Sequence, residues 1–303
     1  MTHPSDDRFG TLPQVRAWYA EELRFGGPVE TEAVVRAFAS VPRERFLGPG
    51  PWRIRDSGTR GGYRTTPDAD PRHVYHDMLV ALDEARKINN GQPSLWAFVL
   101  DHLGLAAGEA VLHLGCGTGY YSAILAELVG ADGQVVAIER DEGLAERART
   151  ALAGWRQVAV GQADGASFDA GPRDAIVVSA GATHPLPEWL TALRPGGRLL
   201  FPLTSQRLGG FMLKVTRAGT GERLVAEFLC RAWFIPFIGA RDAALDTRLA
   251  TAIEGGHSDL VRSLRVDRHV PDGSCWLHGD GFCLSWRDPD PVAGGPADAG
   301  RGA

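Results

Sequence analysis

The sequence has almost no lysine. Lys87 and Lys214 are the only two among 32 basic residues, so arginine carries nearly all the positive charge. Against 37 acidic residues the chain stands at a net charge of -5, with a pI near 6.0. That balance excludes a general binder of nucleic acid or other polyanions. The arginine skew, with abundant alanine and glycine, reads as codon bias and carries little functional weight. Long apolar runs are also missing: none reaches the ~20 residues of a bilayer-spanning helix. The opening residues, MTHPSDDRFG, lack the basic and apolar regions of a secretory signal. Four cysteines in 303 residues are too few for a disulfide scaffold. The expectation is a cytoplasmic protein with no membrane and no nucleic-acid partner.

What is present falls into zones. Residues 14–47 have helical spacing in QVRAWYAEEL and TEAVVRAFASV; Thr31 is placed to cap the second helix, which must stop before Pro42. Residues 48–73 are rich in Gly, Pro and Arg and read as a long loop, a type usually functional or mobile. From about 95 to 235, short Val/Ile/Leu strands alternate with helices, which predicts a parallel sheet covered on both faces. GGFMLKVTRAG and RLVAEFLCRAWFI then predict an antiparallel hairpin finishing the sheet edge. From Asp288 onward there is almost nothing to bury, so a disordered tail is expected. The division is therefore 1–94, a helical and loop region over the active site; 95–240, the core; 241–287, an extension; and 288–303, the tail.

Gly115, Gly117 and Gly119 follow the strand VLHL and precede a helix, where glycine permits a tight turn close to a ligand. A dinucleotide-binding turn would read G-x-G-x-x-G, whereas the third glycine here comes one residue early. Glu139 ends the next strand, where a carboxylate can accept both hydroxyls of a ribose. Asp164-Gly165 follows the third strand, where an Asp can meet an adenine amino group. LRPGGRLLFPL adds a Pro-Gly-Gly turn before the fifth strand.

Together these four features resemble S-adenosylmethionine-dependent methyltransferases more than dehydrogenases. The resemblance implies an α/β fold, a doubly wound, mostly parallel seven-stranded sheet of the class I, Rossmann-like type. It also implies S-adenosylmethionine as cofactor and S-adenosylhomocysteine as product. The expected cofactor neighbours are Gly91, Gly115, Cys116, Gly117, Gly119, Tyr120, Glu139, Arg140, Asp164, Gly165 and Ala180.

VVRAFASVPRERFLGP, VYHDMLVALD, NNGQPSLWAFVLDHL, VVSAGATHPLPEWLTALRPGGRLLFPL and CRAWFIPFIGAR resemble, in this order, the protein-L-isoaspartate O-methyltransferases. The resemblance spans roughly residues 30–240 and implies a peptide or protein substrate carrying Asp or isoAsp. In that family the segment before the first core helix reads Gln-Thr-Ile-Ser-Gln-Pro, and its Ser contacts the substrate carboxylate. Aligned on Gln92-Pro93, this chain has Asn89, Asn90 and Gly91, so the hydroxyl is missing. A carboxylate is already ionised at neutral pH and needs alignment rather than a base, and an Asn amide offers two donors for holding it. Asn89, Asn90 and Gln92 are the expected placing residues. The departure points to a different carboxylate, such as an Asp in a dedicated modified peptide, rather than general isoaspartyl repair.

Other features carry weaker readings. Arg53, Arg55, Arg60 and Arg64 suit an acidic peptide but are offset by Asp56, Asp68 and Asp70; Trp52 and Tyr63 are placed to cover such a peptide. His184 can orient a substrate, or act as a base if the nucleophile is a hydroxyl or amine. In CWLHGDGFC, Cys275, His278 and Cys283 lack a clear fourth ligand, although His269 is near. The expected reading there is a hairpin with small buried cysteines and no metal. Two rivals remain: a small-molecule carboxyl or hydroxyl methyltransferase of the same fold, and a cofactor-binding scaffold without transferase activity.

Overall fold

A computed structural model describes residues 10–55, 62–169, 171–221 and 223–289. The expectations for Asp56, Arg60 and the tail beyond residue 289 lie outside the described residues. The chain groups into two compact units, Met1–Phe168 with Val177–Ser179, and Asp169–Ile176 with Ala180–Ala303. The division runs through the segment expected to form one core.

The first unit opens with α1 (Leu12–Gly26) and α2 (Glu32–Ser40), and α2 stops ahead of Pro42 as expected. Thr31 holds the N-cap position but makes no side-chain cap bond. The Asp101 carboxylate of α3 (Pro93–Leu103) caps instead, accepting from the amides of Glu30 at 3.2 Å and Thr31 at 2.8 Å. A 3-10 turn, Arg43–Phe46, follows α2.

The segment read as a loop contains two short strands, β1 (Arg53–Arg55) and β2 (Arg64–Thr65). They join β3 (Leu79–Asp83) and β4 (Ile88–Asn89) in a four-stranded sheet of order β2-β1-β3-β4. Its strands, two to five residues long, are too short to leave a period-2 pattern. Trp52 is not a cover for a peptide. It is buried, and its indole N–H donates to the Gly48 carbonyl at 3.0 Å.

The rest of the first unit alternates as predicted. β5 (Ala110–Leu114) leads to α4 (Tyr120–Val129), then β6 (Gln134–Glu139), α5 (Glu142–Leu152) and β7 (Val158–Gln162). β5, β6 and β7 pair in parallel with β5 beside β6 and β6 beside β7. β5 is buried from Val111 to Leu114, which explains why its residues do not alternate between apolar and polar, and His113 is buried among them. The Asp141 side chain caps α5 by accepting from the Leu144 amide at 2.9 Å.

β8 (Arg173–Val178) is divided between the units. The second unit adds α6 (Pro187–Thr191), β9 (Leu193–Ser205), β10 (Gly209–Arg217) and β11 (Leu224–Ala232). It continues with α7 (Ala243–Gly255), β12 (Ser263–Arg265), β13 (Cys275–Gly279) and β14 (Phe282–Ser285). Its strand order is β8-β9-β10-β11-β12-β14-β13. The predicted β10–β11 hairpin is present and antiparallel, but it does not finish the edge. Val225 pairs with Ser263, so the extension adds β12, β14 and β13 beyond β11. Among the described residues no helix is long and apolar enough to cross a membrane.

Candidate active site

The glycine turn is fastened to the strand beside it. The amides of Gly115 and Cys116 donate to the Ile138 carbonyl at 2.8 and 3.1 Å. The Gly117 amide donates to Glu139 Oε2 at 2.8 Å, and the Asp141 amide to Oε1 at 3.0 Å. Gly115, Gly117 and Gly119 have φ of +73°, +57° and +92°, a region that favours glycine. Gly119 is required twice over, since a Cβ there would lie 2.6 Å from Leu152 Cδ1.

Glu139 is thereby held at the C-terminal end of β6. A carboxylate offers about four acceptor positions, and the two amides occupy one on each oxygen. The remaining capacity suits the two hydroxyls of a ribose, so the residues present fit the nucleoside of S-adenosylmethionine. Ala163 donates to the Glu139 carbonyl at 3.1 Å, which brings the end of β7 alongside. Asp164 follows and accepts from the Ala166 amide at 3.0 Å through Oδ1. Gly165 is buried beside it, and Arg140 is exposed, with its carbonyl accepting from Gln162 Nε2 at 3.5 Å. Cys116 is buried, which pushes its thiol well above the usual range.

Tyr120 departs from expectation. Its ring is 1% exposed and packs among Phe38, Phe46 and Tyr121. Only its backbone, at the first turn of α4, is left to face a ligand.

The segment Asn89–Gln92 forms a lip next to this turn, and Leu82 Cδ1 lies 3.8 Å from where a Gly117 Cβ would stand. The hairpin carrying the lip is anchored by Arg86, which pairs with Asp83 at 2.6 Å and with Asp141 at 2.5 Å. Gly91 has φ +69°, and a Cβ on it would lie 2.7 Å from Trp96 Nε1 and 3.2 Å from Tyr121 Cε2. The lip has no room for a hydroxyl-bearing side chain at that position.

The three residues expected to place a carboxylate all have partners inside the protein. Asn90 is buried, and its Oδ1 accepts from Arg43 Nε at 3.1 Å, so its carboxamide secures the lip from beneath rather than facing a substrate. Asn89 Oδ1 accepts from the Gly91 amide at 2.8 Å, and its side chain also hydrogen-bonds Tyr63. Gln92 Nε2 donates to Asp77 Oδ2 at 2.9 Å and to Ser94 Oγ at 3.2 Å.

Two residues that the sequence reading passed over organise this lip. Arg43 is fully buried and donates to the carbonyls of Val74 (2.9 Å), His76 (3.0 Å) and Met78 (2.7 Å) as well as to Asn90. Asp77 accepts from the Ser94 amide at 2.8 Å and from its hydroxyl at 2.6 Å. The signal for Arg43 was its place in PRERF, an arginine between residues of a helical region with no acid at helical spacing that accounts for it.

His113, on β5, bridges Ser122 and Ser179, each at 2.8 Å. Burial lowers it to about 3, so it stays neutral in the fold. Ala180 and His184 belong to the second unit. Ala180 is buried. His184 Nδ1 lies 3.0 Å from Thr183 Oγ1, its ring stacks on Phe282, and burial lowers its pKa.

A parallel α/β sheet, a glycine turn and an acid at the end of the second strand define a class I methyltransferase. The comparisons place the chain further. Residues 58–242 match the family of protein-L-isoaspartate(D-aspartate) O-methyltransferases (PCMT). Protein-L-isoaspartate O-methyltransferase 1 of Rhodopseudomonas palustris (strain HaA2) is 34% identical over 244 residues, 78% of this chain and 89% of that one. The protein-L-isoaspartate O-methyltransferase of Methanothermobacter thermautotrophicus is 29% identical, covering 72% and 93%. A solved protein-L-isoaspartate O-methyltransferase aligns at a TM-score of 0.60 and 25% identity over 84% of this chain and 72% of its own. A Plasmodium falciparum chain in complex with S-adenosyl-L-homocysteine aligns at 0.59 and 16% identity, covering 74% and 98%, a likeness of fold alone. The chain belongs to the protein-L-isoaspartate O-methyltransferase family and is an S-adenosylmethionine-dependent O-methyltransferase.

Proposed function

We propose that this enzyme methylates a side-chain carboxylate of a dedicated peptide or protein partner, and that general isoaspartyl repair is not its main task. The observation that carries this is the lip. Gly91 stands where the family places a serine, in a left-handed conformation, and the Trp96 indole fills the space a side chain would need.

S-adenosylmethionine supplies an electrophilic methyl group on a sulfonium. A carboxylate oxygen attacks that methyl carbon, the carbon–sulfur bond breaks, and its electron pair stays on sulfur. The products are a methyl ester and S-adenosylhomocysteine, and no proton moves. This chain's residues contribute position: Glu139 for the ribose, Asp164 for the adenine, and the Asn89–Gln92 lip for the substrate edge. With an ionised nucleophile no general base is needed, so His184 has no proton to take. Asn89, half-exposed on the lip, is the residue best placed to meet a substrate carboxylate.

Cofactor-dependent methyl transfer to an isoaspartyl peptide and to its normal Asp counterpart, followed by mass spectrometry, tests the reading. The expected result is intact binding of S-adenosylhomocysteine with little or no gain of 14 Da, about one methylene in mass, on either generic peptide. Efficient methylation confined to the isoaspartyl peptide would contradict it.

A further inference from the structure

We propose that His269, Cys275, His278 and Cys283 form a structural zinc site in the C-terminal extension. The ligand atoms of these four side chains all lie within 4.8 Å of one another. Bond lengths of about 2.0–2.1 Å to nitrogen and 2.3 Å to sulfur place tetrahedral ligands roughly 3.3–3.8 Å apart, so only a small contraction closes the set. Four protein donors leave no open position, which is the arrangement of a structural rather than a catalytic site. Two thiolates and two imidazoles suit a borderline-soft, tetrahedral divalent ion.

The backbone explains how so loose a sequence spacing converges. Cys275 and His278 are three apart on β13, and on a regular strand they would point to opposite faces. The register shifts between Cys275 and Leu277, and that bulge returns both side chains to one side. Cys283 on β14 is paired directly with His278, and residues opposite each other share a face. His269 comes from the preceding loop and puts Nε2 3.6 Å from Cys275 Sγ.

The surroundings are those of a ligand set. His269 Nδ1 donates to the Asp267 carbonyl at 3.0 Å, and the Asp267 carboxylate is 3.2 Å away. A histidine that binds metal ordinarily donates its other ring N–H to such a group, which directs the free nitrogen to the ion. The Asp272 amide lies 3.4 Å from Cys275 Sγ and donates to it. His278 Nδ1 is buried without a hydrogen-bond partner. Arg265, opposite Cys283 on β12, is paired with Asp267 at 2.7 Å, so its charge is balanced beside the cluster. The ion would tie residues 266–274 to the β13–β14 hairpin. By sequence His269 is only near the CWLHGDGFC segment, and a metal-free hairpin is the expected reading; the return of the loop puts its ring beside Cys275.

The reduced full-length chain, equilibrated with zinc and freed of excess, is assayed for metal by mass spectrometry. One zinc per chain is expected, lost in Cys275→Ser and in Cys283→Ser but kept in Cys230→Ser, whose thiol is outside the cluster. Because the serine variants are exposed to misfolding, the wild-type chain is also loaded with cobalt(II) and alkylated with and without zinc. Tetrahedral cobalt absorption with thiolate charge-transfer bands, and zinc protection of Cys275 and Cys283 from alkylation, support the site. Absence of stoichiometric zinc in the folded wild-type chain, or alkylation of both cysteines unchanged by zinc, would overturn it.

Discussion

Two glycines of the first unit, Gly117 and Gly91, share a left-handed backbone and differ in everything around it. At Gly117 the nearest atom to a hypothetical Cβ is 3.8 Å away, so the protein leaves the space open toward the carboxylate of Glu139. At Gly91 the space is taken, by Trp96 at 2.7 Å and Tyr121 at 3.2 Å. One glycine leaves open space beside its turn; the other makes room for the protein's own side chains. The glycine turn beside Glu139 is thus uncrowded, and the lip is packed around an indole.

Variants can break or sharpen this contrast. The largest stability loss is expected from Arg43→Met, which leaves several buried carbonyls and the Asn90 amide oxygen without their donor. With a cost of about 1–3 kcal/mol for each such group, partly relieved by relaxation, the loss should reach about 3 kcal/mol or more in urea unfolding. A loss below about 1 kcal/mol would mean that the lip does not depend on that arginine.

Gly91→Ser should follow. Left-handed strain of about 1–2 kcal/mol adds to overpacking of about 1–3 kcal/mol against Trp96. The serine is expected to destabilise without restoring isoaspartyl turnover. Gly117→Ala carries only the backbone strain, about 1–2 kcal/mol, because nothing crowds the new methyl. Its affinity for S-adenosylhomocysteine should fall disproportionately, read by calorimetric titration beside the melting curve. Equal stability losses in the two variants would erase the distinction.

The next effect concerns pH. His113 is held neutral with its pKa lowered to about 3, so the unfolded chain takes up a proton first as pH falls. Stability is then complete above the ordinary imidazole range and declines by up to about 1.4 kcal/mol per pH unit below it, until the folded-state value is reached. His113→Gln should flatten that slope between pH 6 and 4, as followed by denaturant midpoints. The smallest effect is expected from Arg86→Ala. Hydrogen bonds from Arg86 hold Asp83 and Asp141 below the usual carboxylate range. Their contribution is present above the unfolded carboxylate values and lost as pH falls through the lowered ones. The pairs are solvent-exposed and screened by salt, so hydrogen exchange should quicken locally in the β3–β4 hairpin with little change in melting temperature.

The cofactor edge was readable in the sequence because each element there is local. A strand, a glycine turn and an acid at the next strand's end occupy fixed spacings, and Glu139 and Asp164 stand at the ends of β6 and β7 as expected. The lip was legible only in outline. Asn90 looks like a free amide donor until Arg43, 47 residues earlier, is seen to hold it. Trp52 looked like a surface aromatic because nothing nearby announces that its indole bonds the Gly48 carbonyl. The hairpin of β10 and β11 looked terminal because the strands after it are three to five residues long, shorter than a periodic signal needs. For Asn90 and for the sheet edge, what the sequence hid was pairing with a side chain or strand distant in the chain, whereas the Trp52–Gly48 contact is local and was hidden by an irregular turn.

The central claim is that the cofactor edge is intact while the lip no longer serves repair. It is tested most directly by assaying this enzyme beside its Rhodopseudomonas palustris relative, with one isoaspartyl peptide and S-adenosylmethionine under identical conditions. A hydrogen bond to a charged group is worth about 1.5–3 kcal/mol, so loss of the lip hydroxyl predicts isoaspartyl kcat/KM lower by roughly tenfold to a hundredfold or more, with S-adenosylhomocysteine bound by both. Equal kcat/KM values would show that the Asn-Asn-Gly lip preserves repair, and would contradict the account.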